Sequence, residues 1–168
     1  MTHLVLVGLM GTGKSTVGKR VAATLGRPFL DSDELIEQAT GRTVRQIWRT
    51  DGESAFRVLE TDALRGALAS EPPAVIAAAG GVVLSAANRD ALNDADATVV
   101  WLSADPEVLI TRATRGVHRP LLDDDPEAAL RAMAVERADL YRAVADVTID
   151  VSDREVDDVV QTVLAAAP

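Results

Sequence analysis

The sequence predicts an α/β protein built on a parallel sheet with helices on both faces, and three observations carry that expectation. Short apolar stretches at His3–Val7, Pro28–Leu30, Ala74–Ala78, Thr98–Leu102 and Val147–Asp150 are each separated from the next by helical pattern, the alternation that parallel sheets require for their crossovers. The first stretch runs directly into Gly8-Leu9-Met10-Gly11-Thr12-Gly13-Lys14-Ser15, which meets G-x-x-x-x-G-K-[ST] at every fixed position. Beyond Lys14, the apolar positions Val17, Val21, Ala22 and Leu25 recur at helical spacing, so the glycines lie between a strand and a helix N-terminus. Finally, 168 residues of which 48% are hydrophobic suffice for one core, and residues 1–168 are expected to form a single domain.

Composition narrows the function. The chain has no cysteine, which excludes disulfides and thiolate metal sites and fits an intracellular setting. His3 and His118 have no partners at metal-ligand spacing. A net charge of -9 disfavours nucleic-acid partners, and an aromatic content of 3% is too low for a base-stacking platform. No apolar run approaches the ~20 residues of a membrane span and the chain opens on a strand rather than a leader, so no membrane partner and a cytoplasmic location are expected. In so acidic a chain, arginines are either solvated ion-pair partners or the lining of an anion site.

In chain order, the glycine-rich loop comes first. Its glycines let successive backbone N–H groups turn inward toward a polyphosphate at a helix N-terminus. The segment Gly11-Thr12-Gly13-Lys14-Ser15-Thr16 is therefore the expected nucleoside triphosphate site. Lys14 is placed to reach the β- and γ-phosphates, and Ser15 to offer its hydroxyl to Mg²⁺. After the second strand, Asp31-Ser32-Asp33 precedes an amphipathic helix that Gly41 should end. One aspartate there can simply cap the helix, but two at i and i+2 beside the phosphate loop can divide between a metal and an acceptor hydroxyl.

Gly52-Glu53 opens a long helix with Phe56, Leu59, Ala63, Leu64 and Leu68 as its apolar stripe. Arg57 stands beside that stripe with Glu53 at i-4 and Glu60 at i+3. By spacing alone a surface ion-pair ladder is the simpler reading; the alternative has the glutamates orienting Arg57 toward a ligand. The third strand ends in Ala78-Ala79-Gly80-Gly81, where small residues permit close approach of backbone to a ligand or, equally simply, of a helix to the sheet. Ser103 to Glu107 reads as a cap and first helical turn. Residues 112–125 have no sustained period and carry Arg112, Arg115, His118, Arg119 and Pro120, as a mobile lid over phosphates would, with a solvated loop the alternative for Arg115 and His118. A helix from Pro126 to Ala145 buries Leu130, Met133, Leu140 and Val144 and carries Arg137, either a ligand or a salt-bridge residue. Val151 to Arg154 opens a last helix with Val156, Val159, Val160, Val163 and Leu164 as core.

Together these stretches resemble the shikimate kinases over essentially the whole chain: the phosphate loop, Asp31-Ser32-Asp33, Gly52-Glu53 with Phe56-Arg57 and Glu60, Gly80-Gly81, Arg119-Pro120-Leu121-Leu122, and Arg137 through Tyr141-Arg142. The resemblance implies a P-loop three-layer sandwich like that of nucleoside monophosphate kinases, with a five-stranded parallel sheet and a mobile lid. It implies ATP-dependent phosphorylation of the shikimate 3-hydroxyl, giving shikimate 3-phosphate and ADP in chorismate biosynthesis, by a monomer. On it, Mg²⁺ is held by Ser15 and Asp31. Shikimate is held by Asp33, Arg57, Gly80, Gly81 and Arg137, and Lys14, Asp33 and Arg119 are the catalytic residues. Arg112 and Arg154 line the adenine. Ala79 stands where the family has the first of three consecutive glycines. A kinase of another small polyol shares the phosphate loop but does not call for two arginines suited to a carboxylate, and the Asn-Lys-x-Asp motif of guanine-nucleotide switches is absent. A nucleotide-binding regulatory domain without transfer activity is the remaining alternative.

Overall fold

The computed structural model describes residues 2–113 and 125–167. Five parallel strands, β1 (His3–Val7), β2 (Phe29–Asp31), β3 (Val75–Ala77), β4 (Ala97–Ser103) and β5 (Val147–Asp150), form one sheet in the order β2-β3-β1-β4-β5. β1 lies at its centre, paired with both β3 and β4, and every one of its residues is buried. A strand covered on both sides has no use for a polar face, which is why β1 reads as a continuous apolar run.

Because side chains alternate across a strand, β1 itself divides the two cores. Val5 and Val7 pack with Leu64 of α3 (Val44–Leu68), Leu92 of α4 (Ala86–Asp94), Leu109 of α5 (Pro106–Ala113) and Leu130 and Tyr141 of α6 (Pro126–Val144). Leu4 and Leu6 pack instead with Val17 and Val21 of α1 (Lys14–Leu25) and Val159, Val160 and Val163 of α7 (Val156–Ala166). The result is three layers, helix on sheet on helix. A third, smaller cluster of Ile36, Ile47 and Phe56 joins α2 (Ser32–Thr40) to α3.

Several boundaries differ from the sequence expectation. β2 is shifted to end on Asp31, held in register opposite Ala77, so the strand itself delivers a carboxylate to the carboxyl edge. β3 stops short of Ala74, whose N–H goes to His3 Nδ1 at 3.1 Å rather than to a strand. β4 is longer by a residue at each end. α3 begins before the expected start because Thr43 and Gln46 close a capping box; Gly52, with φ of 83°, then breaks the axis and the expected helix follows it. Leu59, Ala63, Leu68 and Leu140 are half-buried, while Glu60, Arg137 and Tyr141 occupy the deep positions. The last helix starts at Val156, which is 39% exposed rather than core because it lies in the first, solvent-facing turn. Gly41 ends α2 with φ of 66°, as its sequence position suggests.

Candidate active site

The carboxyl edge of the sheet opens into a cavity of about 430 Å³, within the size range of small-molecule sites. Its lining includes Gly11, Gly13, Lys14, Ser15 and Thr16 from the phosphate loop, Asp31 and Asp33 from β2 and α2, Arg57, Gly80 and Gly81, and Arg137 from α6. Residues separated by more than 120 positions in the sequence thus meet in one place.

The phosphate loop is shaped by its backbone. Gly8, Gly11 and Gly13 have φ of 143°, 84° and 93°, conformations that side chains rarely tolerate. At Gly8 a Cβ would also come within 2.4 Å of the Leu102 carbonyl oxygen on β4. Buried Thr12 steadies the turn by donating to Leu9 O at 2.8 Å. Lys14 Nζ donates to Gly8 O at 2.7 Å and Leu9 O at 3.0 Å, so its ammonium sits over the loop at the mouth of α1.

Ser15 Oγ donates to Asp31 Oδ2 at 2.5 Å, and Asp31 Oδ1 accepts from the Asp33 N–H at 3.0 Å. Asp31 therefore does both things its position allowed: it caps α2 and reaches the phosphate loop. A hydroxyl and a carboxylate side by side form a hard oxygen donor set suited to Mg²⁺.

On the acceptor side the ion-pair ladder is overturned for Glu60. Its side chain is 2% exposed and accepts from Arg57 Nη1 at 2.9 and 2.8 Å through its two oxygens. Glu53, by contrast, is 61% exposed and meets Arg57 Nη2 at 3.1 Å. Burial pushes the Glu60 carboxyl above its ordinary value, against the pull of the Arg57 guanidinium, which removes some of that rise. The Arg57 guanidinium lies 5.4 Å from the Trp48 ring centroid and 5.7 Å from that of Phe56, so two aromatic faces and two carboxylates fix its plane. Gly81 makes room for it: a Cβ there would lie 1.8 Å from Arg57 Nη1. Arg137 is 5% exposed. Its Nε is 3.6 Å from Glu136 Oε2 and makes no hydrogen bond among the described residues, while the side chain also hydrogen-bonds the Tyr141 hydroxyl.

Arg112 bridges the phosphate loop and the turn after β5, donating to Gly11 O at 3.2 Å and Val151 O at 3.1 Å. Arg154 lies against α7, its Nη2 donating to Thr162 Oγ1 at 2.6 Å. Arg115, His118, Arg119 and Pro120 fall outside the described residues, as does nearly all of the lid expected over 112–125. Ala79 lines the cavity beside Gly80. Sequence reasoning missed Val44, Trp48 and Phe56 as cavity walls and misplaced Glu60. The last had a signal, since Glu60 stands four residues from both Phe56 and Leu64, on the apolar stripe itself. Among the described residues there is no cluster of three or more potential metal-binding His, Asp or Glu side chains, and no helix long and apolar enough to cross a membrane.

Comparison with known proteins agrees with this geometry. A family profile described as "Shikimate kinase" matches residues 10–168. The shikimate kinase of Symbiobacterium thermophilum is 45% identical over 165 residues, covering 96% of this chain and 94% of that protein. That of Caldanaerobacter subterraneus subsp. tengcongensis is 42% identical, with 99% and 96% covered. The solved structure of Acinetobacter baumannii shikimate kinase in complex with shikimate superposes with a TM-score of 0.91 at 39% identity, covering 98% of this chain and 91% of that one. The chain belongs to the shikimate kinase family and has its P-loop fold.

Proposed function

We propose that this chain transfers the γ-phosphoryl group of ATP to the 3-hydroxyl of shikimate, giving shikimate 3-phosphate and ADP on the route to chorismate. The observation that carries the reading is the single cavity in which the phosphate loop faces Arg57 and Arg137. Two guanidinium groups suit a planar carboxylate, with which they can form paired, charge-assisted hydrogen bonds. A neutral polyol offers no anion to either guanidinium.

In this reading the backbone of Gly11 to Thr16 cradles the phosphates, and Lys14 exchanges its contacts with the loop carbonyls for the β- and γ-phosphate oxygens. Ser15 and Asp31 hold Mg²⁺, which when bound neutralises phosphate charge. Arg57, held flat by Glu60, and Arg137 grip the acceptor carboxylate, while Gly80 and Gly81 let its ring lie close to the backbone. Asp33 orients the attacking hydroxyl. Phosphoryl transfer proceeds through a loose transition state, so alignment of that hydroxyl with the γ-phosphorus matters more than the strength of a base. Arg119, from a lid over about 112–125, adds positive charge to the transferring group, and Arg112 and Arg154 flank the adenine. We read residues 1–168 as a single kinase domain acting as a monomer in the cytoplasm.

A coupled ADP-release assay tests the reading. Release that depends on shikimate and falls steeply when its carboxylate is reduced to an alcohol is the expected result. Equal use of both acceptors would remove the carboxylate clamp, and ADP release indifferent to shikimate would leave a nucleotide-binding domain without this transfer activity.

A further inference from the structure

Tyr141 is buried to 1% exposure on α6, one turn beyond Arg137, and no step above uses it. Its hydroxyl donates to the Gly80 carbonyl oxygen at 2.5 Å and accepts a hydrogen bond from the Arg137 side chain, so it ties the acceptor-gripping arginine to the Gly80 backbone. Its ring stacks on Trp101 with centroids 5.6 Å apart and planes inclined by 24°, so the phenol is held from behind while its one polar atom touches the acceptor side of the cavity. On its other flank Gly80 lies against the phosphate loop: a Cβ there would lie 3.4 Å from Gly8 O and 3.7 Å from Met10 N.

The Gly80-Gly81 peptide is trans, so its C=O and N–H point in opposite directions. Fixing the Gly80 carbonyl on Tyr141 therefore aims the Gly81 N–H away from α6. No backbone carbonyl accepts from the Gly80 or Gly81 N–H among the described residues, which leaves them available to a ligand in the cavity both residues line.

We infer that Tyr141 is a positioning residue for the acceptor: its hydroxyl sets the plane of the Gly80-Gly81 peptide so that the backbone N–H presents to shikimate in register with the phosphate loop. The inference rests on the acceptor assigned above. Arg137 and Tyr141 then act as a pair, the first gripping the acceptor directly and the second orienting the backbone beside it. Burial pushes the phenol pKa well upward, so Tyr141 remains a donor through the working pH range.

The test is Tyr141→Phe, which keeps the ring and the stack on Trp101 and removes the donor. The expected result is a rise in KM for shikimate of about three- to tenfold, the usual worth of one such hydrogen bond. ATP affinity and kcat should each change less than twofold. Trp101→Phe serves as the packing control: it should lower Tm while leaving KM for shikimate within twofold. An unchanged shikimate KM in Tyr141→Phe, an equal rise in Trp101→Phe, or a parallel loss of ATP affinity would overturn the positioning role. A second readout needs no variant. In the parent, shikimate should slow hydrogen exchange at the Gly81 amide, and identical rates with and without shikimate would also overturn it. A parent that does not consume shikimate sinks the functional reading together with this inference, whereas an active parent with an unchanged Tyr141→Phe sinks the inference alone.

Discussion

The nucleotide half of the cavity comes from one contiguous stretch, the end of β1 through the first turn of α1, whereas the acceptor half gathers Asp33 from α2, Arg57 and Glu60 from α3, Gly80 and Gly81 from the turn after β3, and Arg137 from α6. The first half works through backbone conformation: three glycines with positive φ and a lysine folded over their carbonyls. The second works through buried charge, two guanidinium groups balanced against carboxylates in a partly apolar wall of Trp48 and Phe56. Even the glycines differ. Gly8 is needed because a side chain there would meet the Leu102 carbonyl, while Gly81 is needed because a side chain there would meet Arg57. One obstacle is fixed backbone, the other the end of a flexible side chain.

The largest expected effect lies in the nucleotide half. Lys14→Met subtracts charge at the phosphates, and kcat should fall by about 10²–10³ with the circular dichroism unchanged. Near-normal turnover would mean that Lys14 serves the loop and not the reaction. On the acceptor side, Gly81→Ala should leave the fold intact, since Gly81 has an ordinary φ of -86°. It should nevertheless displace the Arg57 guanidinium and cost about 2 kcal/mol in kcat/KM for shikimate, the low end for a disrupted buried charge pair, with ATP affinity preserved. If ATP affinity fell as far, the two halves would not be separable in the way described.

Gly8→Ala sharpens the contrast from the other side. Strained φ and a backbone clash should lower stability by about 1–3 kcal/mol, read as a shift in denaturant midpoint. A loss of shikimate affinity with unchanged stability would contradict the division between backbone-built and side-chain-built halves.

The smallest effect is a slope. The Glu60 carboxyl has its folded pKa raised by burial above the ordinary 4.5. Its contribution to stability is therefore fully present below 4.5 and is lost as pH rises through the folded value. Glu60→Gln cannot ionise and lacks that falling limb, so the Tm difference, parent minus variant, should shrink as pH increases from 4 toward neutrality. A difference that grows with pH would mean that Arg57 outweighs burial and holds the carboxyl below its ordinary value.

Much of this was legible in the residues themselves. The phosphate loop, the ends of β1 and β5, the two aspartates after β2 and the cap at Gly41 all depend on short-range rules of backbone conformation and periodicity, which a linear sequence carries in full. Arg57 and Arg137 are visible as candidates because arginines in an acidic chain are either ion-pair partners or the lining of an anion site. Glu60 was read as half of a solvated ladder because i, i+3 spacing says who is adjacent on a helix and nothing about what covers that helix. For the same reason nothing in the sequence places Trp48 against Arg57 or the Tyr141 hydroxyl on Gly80.

The sequence by itself determined the layered α/β architecture, the phosphate loop and its lysine, since each follows from local pattern around one strand and one helix. Only the tertiary structure decided that Glu60 is buried against Arg57, that Gly81 exists to admit a guanidinium, and that the Tyr141 hydroxyl falls on the Gly80 carbonyl. Those three facts depend on the distance between elements remote in the chain, and the energy of a buried charge or hydrogen bond is set by the partner it meets across that distance.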